Sequence, residues 1–95
     1  MARKFKLGQV VTTIGVLELC RHGMDLGPYI DRHVSGDWGD IDARTHAANE
    51  RAVLEGGRIM SVYHPAGRRI WIVTEPDRKQ TTILFPHEKD GLRDA

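Results

Sequence analysis

Cysteine is almost absent: Cys20 stands alone, so no intramolecular disulfide can staple the fold and no cysteine pair can build a zinc site. A short chain without staples rests on burial and hydrogen bonds, which suits a reducing cytoplasm. Long apolar runs are missing as well. The longest strongly apolar stretch is Ile70-Trp71-Ile72-Val73, against roughly 18 residues for a membrane-spanning helix. The basic start Arg3-Lys4-Phe5-Lys6 is not followed by the apolar core of an export signal, because Gly8-Gln9 and Thr12-Thr13 interrupt it. The expectation is a cytoplasmic protein with no membrane partner. Nor is there an excess of charge. With 14 Lys and Arg against 13 Asp and Glu, the net +1 excludes a polybasic, histone-like role.

What is present is an ordinary globular composition, 40% hydrophobic and 28% charged over 95 residues, which fills one domain over residues 1–95. The charges are segregated. Residues 1–6 carry +3, and residues 25–42 carry five Asp against Arg32. Arg58, Arg68, Arg69, Arg78 and Lys79 outweigh Glu75 and Asp77. Such clusters are either solvated surface or distinct acidic and basic faces for a partner. The basic segment 1–6 and the polar tail 87–95 are expected to be flexible.

Periodicity changes along the chain. Residues 5–11 suit a short strand, and Thr12 or Thr13 can cap a helix from Ile14 to His22 that Gly23 stops. A second helix opens at Pro28 and closes at Gly36. A third, capped by Asp40 or Asp42, carries a small apolar face of Ala47, Ala48, Ala52 and Leu54 that is expected to lie flat on a sheet. Beyond Gly56-Gly57 the period becomes alternating, giving strands in Arg58–His64, Arg69–Glu75 and Gln80–Phe85. The turns Pro65–Arg68 and Pro76–Lys79 are short enough to force antiparallel neighbours. The predicted class is α+β: two to three N-terminal helices packed on a C-terminal three-stranded antiparallel β-meander. One face of it would take Ile70, Ile72, Thr74, Ile83 and Phe85, and the other Trp71, Val73, Glu75, Thr82 and Leu84. An exposed edge such as Gln80–Phe85 leaves a homodimer open.

The chemistry-bearing stretch is His33 to Asp42, where a histidine, three carboxylates and Trp38 sit among glycines. Calcium loops need alternating oxygen ligands and a closing Glu, which Asp37, Asp40 and Asp42 do not supply, and the five histidines lack zinc-site spacing, so no metal is expected. The glycines also permit a plain reversal, with an Asp capping the next helix and Trp38 plugging the loop onto the core. Phosphate-cradling, dinucleotide and nucleophile-elbow motifs are missing, so no cofactor is implied and most enzyme classes drop out. One enzymatic reading survives: a small metal-independent ribonuclease or toxin, barnase-like or RelE-like in layout. In it Glu75 or His64 would serve as acid or base, Arg58, Arg69 and Arg78 would hold the phosphate, and Tyr63 or Trp71 would stack a base.

Several segments together resemble a known family. Leu7-Gly8-Gln9-Val10-Val11, His33 to Asp42, Asn49-Glu50-Arg51-Ala52, Gly57 to Tyr63, Ile70 to Glu75, Asp77-Arg78 and Thr81 to Pro86 look like a group of short bacterial proteins carried on plasmids and other mobile elements. Some of these are labelled "plasmid-related" and others a modification subunit of type I restriction systems. The latter label does not fit, because neither the cofactor domain nor the catalytic motif of a methyltransferase is present. The tail His87–Ala95 and the turn Pro65-Ala66-Gly67 depart from the family pattern. The resemblance implies a role in host–element conflict or plasmid maintenance, such as counter-defence by docking on a host complex in the manner of an anti-CRISPR inhibitor. The leading expectation is therefore a non-enzymatic, macromolecule-binding accessory protein with a protein partner. Its surface would combine Asp37, Trp38, Asp40 and Asp42 with Arg58, Arg69 and Arg78, an aromatic anchor among charges. A nucleic-acid-binding regulator is the remaining alternative.

Overall fold

A computed structural model describes residues 2–92. In chain order the elements are β1 (Gln9–Thr12), α1 (Ile14–Arg21), α2 (Gly27–Val34), α3 (Ala43–Glu55), β2 (Ile59–Tyr63), β3 (Ile70–Thr74) and β4 (Gln80–Leu84), with 3-10 turns at Pro65–Gly67 and Pro86–Leu92. The class is α+β, as expected. Among the described residues no helix is long and apolar enough to cross a membrane.

The sheet corrects the expected meander in two respects. It has four strands rather than three, in the order β1-β4-β3-β2, and it is mixed. β2, β3 and β4 are antiparallel neighbours, but β1 precedes the helices and returns to lie parallel to β4, with Val10 opposite Thr81 and Thr12 opposite Ile83. Gly8 makes this approach feasible: its φ is +66°, and a Cβ there would overlap the Lys79 backbone. The strand around Gln80–Phe85 is therefore internal. Paired on both sides, it cannot serve as the edge for a homodimer.

The helices sit on one face. Ile70, Ile72, Ile83, Phe85 and Tyr63 pack with Val16 of α1 and Leu26, and Leu19, Cys20, Tyr29 and Ile30 close the cluster from above. A second cluster joins Trp38, Ala52 and Ile59, flanked by Phe5, Ile41 and Val53. α3 does not lie flat with its alanines inward. Its buried residues are Asn49 and Ala52, while Ala47 and Ala48 are exposed and Leu54 is 85% exposed. The reason is Asn49, whose side chain accepts from the Met60 N–H (3.1 Å) and donates to the Met60 carbonyl (2.8 Å). That contact holds α3 against the edge of β2. The next outward-facing pair on β2 is closed by the preceding loop, where Val62 donates to the Trp38 carbonyl (3.0 Å) and accepts from Asp40 (2.8 Å). β2 is thus an edge strand with its exposed hydrogen-bonding groups covered.

Within the described residues, both segments expected to be flexible make contacts with the body of the fold. Lys4 donates its N–H to Val34 (2.8 Å), and the Phe5 ring meets His33 edge-on at 5.2 Å and stacks on Trp38 at 6.1 Å. At the other end Glu88 accepts from the Thr13 hydroxyl (2.6 Å) and from the N–H groups of Gly15 (3.1 Å) and Phe85 (2.9 Å). Thr13 holds the expected N-cap position of α1, yet its side chain makes no cap bond. The remote carboxylate does the capping. Burial works against ionisation of Glu88, but these donors outweigh it and hold its pKa below the usual carboxylate value. The rest of the expected tail, residues 93–95, lies outside the described residues, as does Met1.

Candidate functional site: the outer sheet face and its groove

Alternation and the β2–β3 register place Arg58, Met60, Val62 and His64 on the same side as Arg69, Trp71, Val73 and Glu75, opposite the face that α1 and α2 cover. The ribonuclease reading requires Glu75, Arg58 and Arg69 to share a face, and they do. They do not converge. Arg69 and Glu75 lie at opposite ends of β3, about 20 Å apart at the ~3.3 Å rise of a strand. At one end Arg58 is spent on Glu75, with its Nη2 3.0 Å and its Nε 3.2 Å from the same carboxylate oxygen. At the other, Arg69 donates through Nε to His64 Nε2 at 3.4 Å, and Asp40 stands 3.8 Å from that same nitrogen. No acid–base pair shares one phosphate position.

Between the two ends lies an open groove of about 410 Å³. Its floor is Met60, Val62 and Trp71, Ile41 joins from the loop, and Asp40, Asp42, Thr45 and Arg69 form the rim. The 38–42 loop is placed there by Gly39, which has φ +77° and would drive a Cβ into the Val62 carbonyl and the Tyr63 ring. Ile41, Met60 and Trp71 are half-buried. Two of the three carboxylates expected on the binding surface have structural partners. Asp42 caps α3, accepting from Thr45 N–H at 2.8 Å, and that bond lowers its pKa. Asp37 is bonded by Arg32 at 2.8 and 3.3 Å, which holds its pKa low, and the Tyr63 hydroxyl donates to its carbonyl. Asp40, with its side chain 70% exposed, is the freest of the three.

Two of the expected binding residues are engaged within the fold. Trp38 is 2% exposed and its indole N–H donates to Glu50 at 3.0 Å, so it anchors the loop to the core and offers no partner an aromatic face. Arg78 is consumed by carbonyls: Gly57 at 2.6 Å, Ala52 at 2.9 Å and Glu75 at 3.0 Å. Its backbone sits at φ +60° in the β3–β4 turn, from which the side chain reaches the C-terminal end of α3. The aromatic that lines the groove is the half-buried Trp71. Sequence reasoning had it as a base-stacking alternative, and the signal was its alternation with Ile70 and Ile72.

A polar chain under the helices also went unread. His33 is fully buried, with Nδ1 2.6 Å from Ser61 Oγ and Nε2 2.9 Å from Thr74 Oγ1. Thr74 continues to Thr81 at 2.8 Å, and the Thr81 hydroxyl donates to the Leu7 carbonyl at 2.7 Å. Each hydroxyl has one proton, so the chain has one direction: Thr74 donates to Thr81, His33 donates through Nε2, and Ser61 donates to Nδ1. Burial pushes the His33 pKa down to about 3, keeping the ring neutral. A serine beside a histidine suggests a nucleophile, but Ser61 and His33 are both 0% exposed and no substrate reaches them. Comparison with protein families, with curated proteins and with solved structures finds no match to this chain.

Proposed function

We propose that the protein is a non-enzymatic binding module that receives a protein segment in the groove beside Trp71. The observation that carries this reading is the half-buried Trp71 on an apolar floor with Met60 and Ile41, edged by Asp40, Asp42 and Arg69. An aromatic and a flexible methionine beside charges form a recurrent protein-recognition surface. The rim sets the partner's chemistry. Asp40 and Asp42 favour a lysine or arginine next to the apolar residue that covers Trp71, whereas a phosphate backbone would meet carboxylates at Asp40, Asp42 and Glu75. That arrangement favours a protein over a nucleic acid. The wide separation of Glu75 from His64 and Arg69 counts against the nuclease.

Under the mobile-element context that the resemblance implies, a host defence complex is the partner class to examine first, with the chain acting as an inhibitor by occupying a docking site. The test is a random-peptide display screen against the protein, repeated with Trp71→Ala and Asp40→Arg. Supporting hits pair a basic residue with a large apolar one, and lose at least about tenfold in affinity with either substitution, about 1.4 kcal/mol. Hits indifferent to both substitutions overturn the reading. Binding of single-stranded RNA with a steep salt dependence would replace it with the nucleic-acid alternative.

A further inference from the structure

The two edges of the sheet are treated oppositely. β2 is covered by Asn49, Trp38 and Asp40, but β1, at the other edge, has no such cover among the described residues. Gln9 and Thr13 donate to Lys79 (3.0 Å) and Ile83 (3.1 Å) of the β4 side, so the odd-numbered residues face inward. The N–H and C=O groups of Val10 and Thr12 therefore point out of the sheet. Natural edges are blunted by charge, proline or bulges. Here no charged residue and no proline occurs between Lys6 and Glu18. Instead the edge is bordered by exposed apolar side chains: Val10 at 40%, Leu17 at 42% and Ile14 at 80%.

From this unguarded edge we infer that β1 is a dimerisation strand, pairing antiparallel with β1 of a second copy about a two-fold axis through Val11. In that register Val10 lies opposite Thr12 of the second copy, and Thr12 opposite its Val10. Both pairs use outward-facing groups, so each exchanges two hydrogen bonds. Val11 meets itself across the axis. The arrangement is isologous and closes at two, giving one continuous eight-stranded sheet.

The helices single out a second copy over some other strand. An axis perpendicular to the sheet keeps both helical layers on the same face and brings the two α1 helices side by side. α1 contacts both β1 and β4, so it lies over the seam between them. At ~4.8 Å between strands, that seam is about 5 Å from the axis and the two α1 axes fall about 10 Å apart, which is helix packing distance. Leu17 faces the right way. Gly15 packs against Phe85, and at 3.6 residues per turn Leu17 projects roughly 200° round the helix from it, toward the β1 flank. In the monomer Leu17 and Ile14 border water; in the dimer they cover one another.

This inference is independent of the binding groove, which lies on the other face of the sheet and at its other flank. The experiment is sedimentation of the full chain from about 1 µM to about 1 mM. The wild type is expected to form dimers within that range, and Leu17→Lys to raise the dissociation constant at least about tenfold. Thr12→Pro removes an N–H that the monomer does not use and should act likewise, with its folding checked by circular dichroism. If it does not fold, Leu17→Lys decides alone. A wild type that stays monomeric at the top concentration, one that passes beyond a dimer, or a dimer that withstands Leu17→Lys overturns the inference. Trp71→Ala should leave the dimer intact.

Discussion

At the scale of single residues, the most consequential group is His33. Its folded pKa of about 3 lies below the value of roughly 6.5 for an exposed imidazole, so as pH falls the unfolded chain takes up a proton before the folded one. The stabilisation is complete above pH 6.5 and is lost progressively toward pH 3, at no more than about 1.4 kcal/mol per pH unit. Urea unfolding at pH 7.0, 5.5 and 4.5 should show this decline in the wild type and a flatter profile in His33→Gln, which cannot titrate. Equal slopes in the two proteins would rule out His33 as the source. Little of this was legible in the sequence. His33 stood in a stretch that looked like a ligand-binding loop, and its partners Ser61, Thr74, Thr81 and Leu7 are scattered over the rest of the chain. No local pattern announces a hydrogen-bonded chain assembled from four elements. Trp38 was misleading for a related reason: an aromatic among glycines and aspartates reads equally as a hot spot or a plug, and only the Glu50 carboxylate that meets its N–H decides.

At the scale of elements, the secondary structure was readable and its arrangement was not. Helices starting near Ile14, Pro28 and Asp42 and strands near residues 59, 70 and 80 follow from caps, glycine stops and alternation. The parallel seat of β1 depends on Gly8 passing the Lys79 backbone, a contact between residues far apart in the chain. The expected inner face of α3 failed because alanine fits both a buried and an exposed helix face, while the residue that fixes the helix is the polar Asn49. An amide is the right group there, since it offers an acceptor to the Met60 N–H and a donor to the Met60 carbonyl. Replacing Asn49 with Ala leaves both partners without a bond at a site that α3 keeps from water. Chemical denaturation should report a loss of about 2–4 kcal/mol. Asn49→Asp should also destabilise, because it sets a carboxylate against the Met60 carbonyl. A loss below about 0.5 kcal/mol in Asn49→Ala would mean that α3 is held at the β2 edge by something else.

At the scale of the whole molecule, the sheet has one face committed to the helices and one edge, β2, committed to α3 and the Trp38 loop. Helices, the Trp38 loop and the N-terminal arm build the committed side, and they do so as a unit. Phe5 sits where its parts meet: it touches His33 and Trp38, and the Arg78 guanidinium lies 5.6 Å over its ring. His33 meets Trp38 edge-on at 6.0 Å, and Tyr63 of the larger core beneath α1 and α2 bonds the Asp37 carbonyl next to Trp38. Phe5 of the basic N-terminal segment thus packs on the smaller cluster. Because Phe5 is half-buried, Phe5→Ala should cost about 2–3 kcal/mol, somewhat less than for a fully buried ring. Its loss should be felt everywhere at once. Tryptophan emission, which includes Trp38 in the smaller cluster, and far-ultraviolet dichroism, which reports all three helices, should give one coincident transition in the wild type and in Phe5→Ala, displaced to lower urea in the variant. An emission change that precedes the dichroism change in the wild type would show the two clusters melting separately.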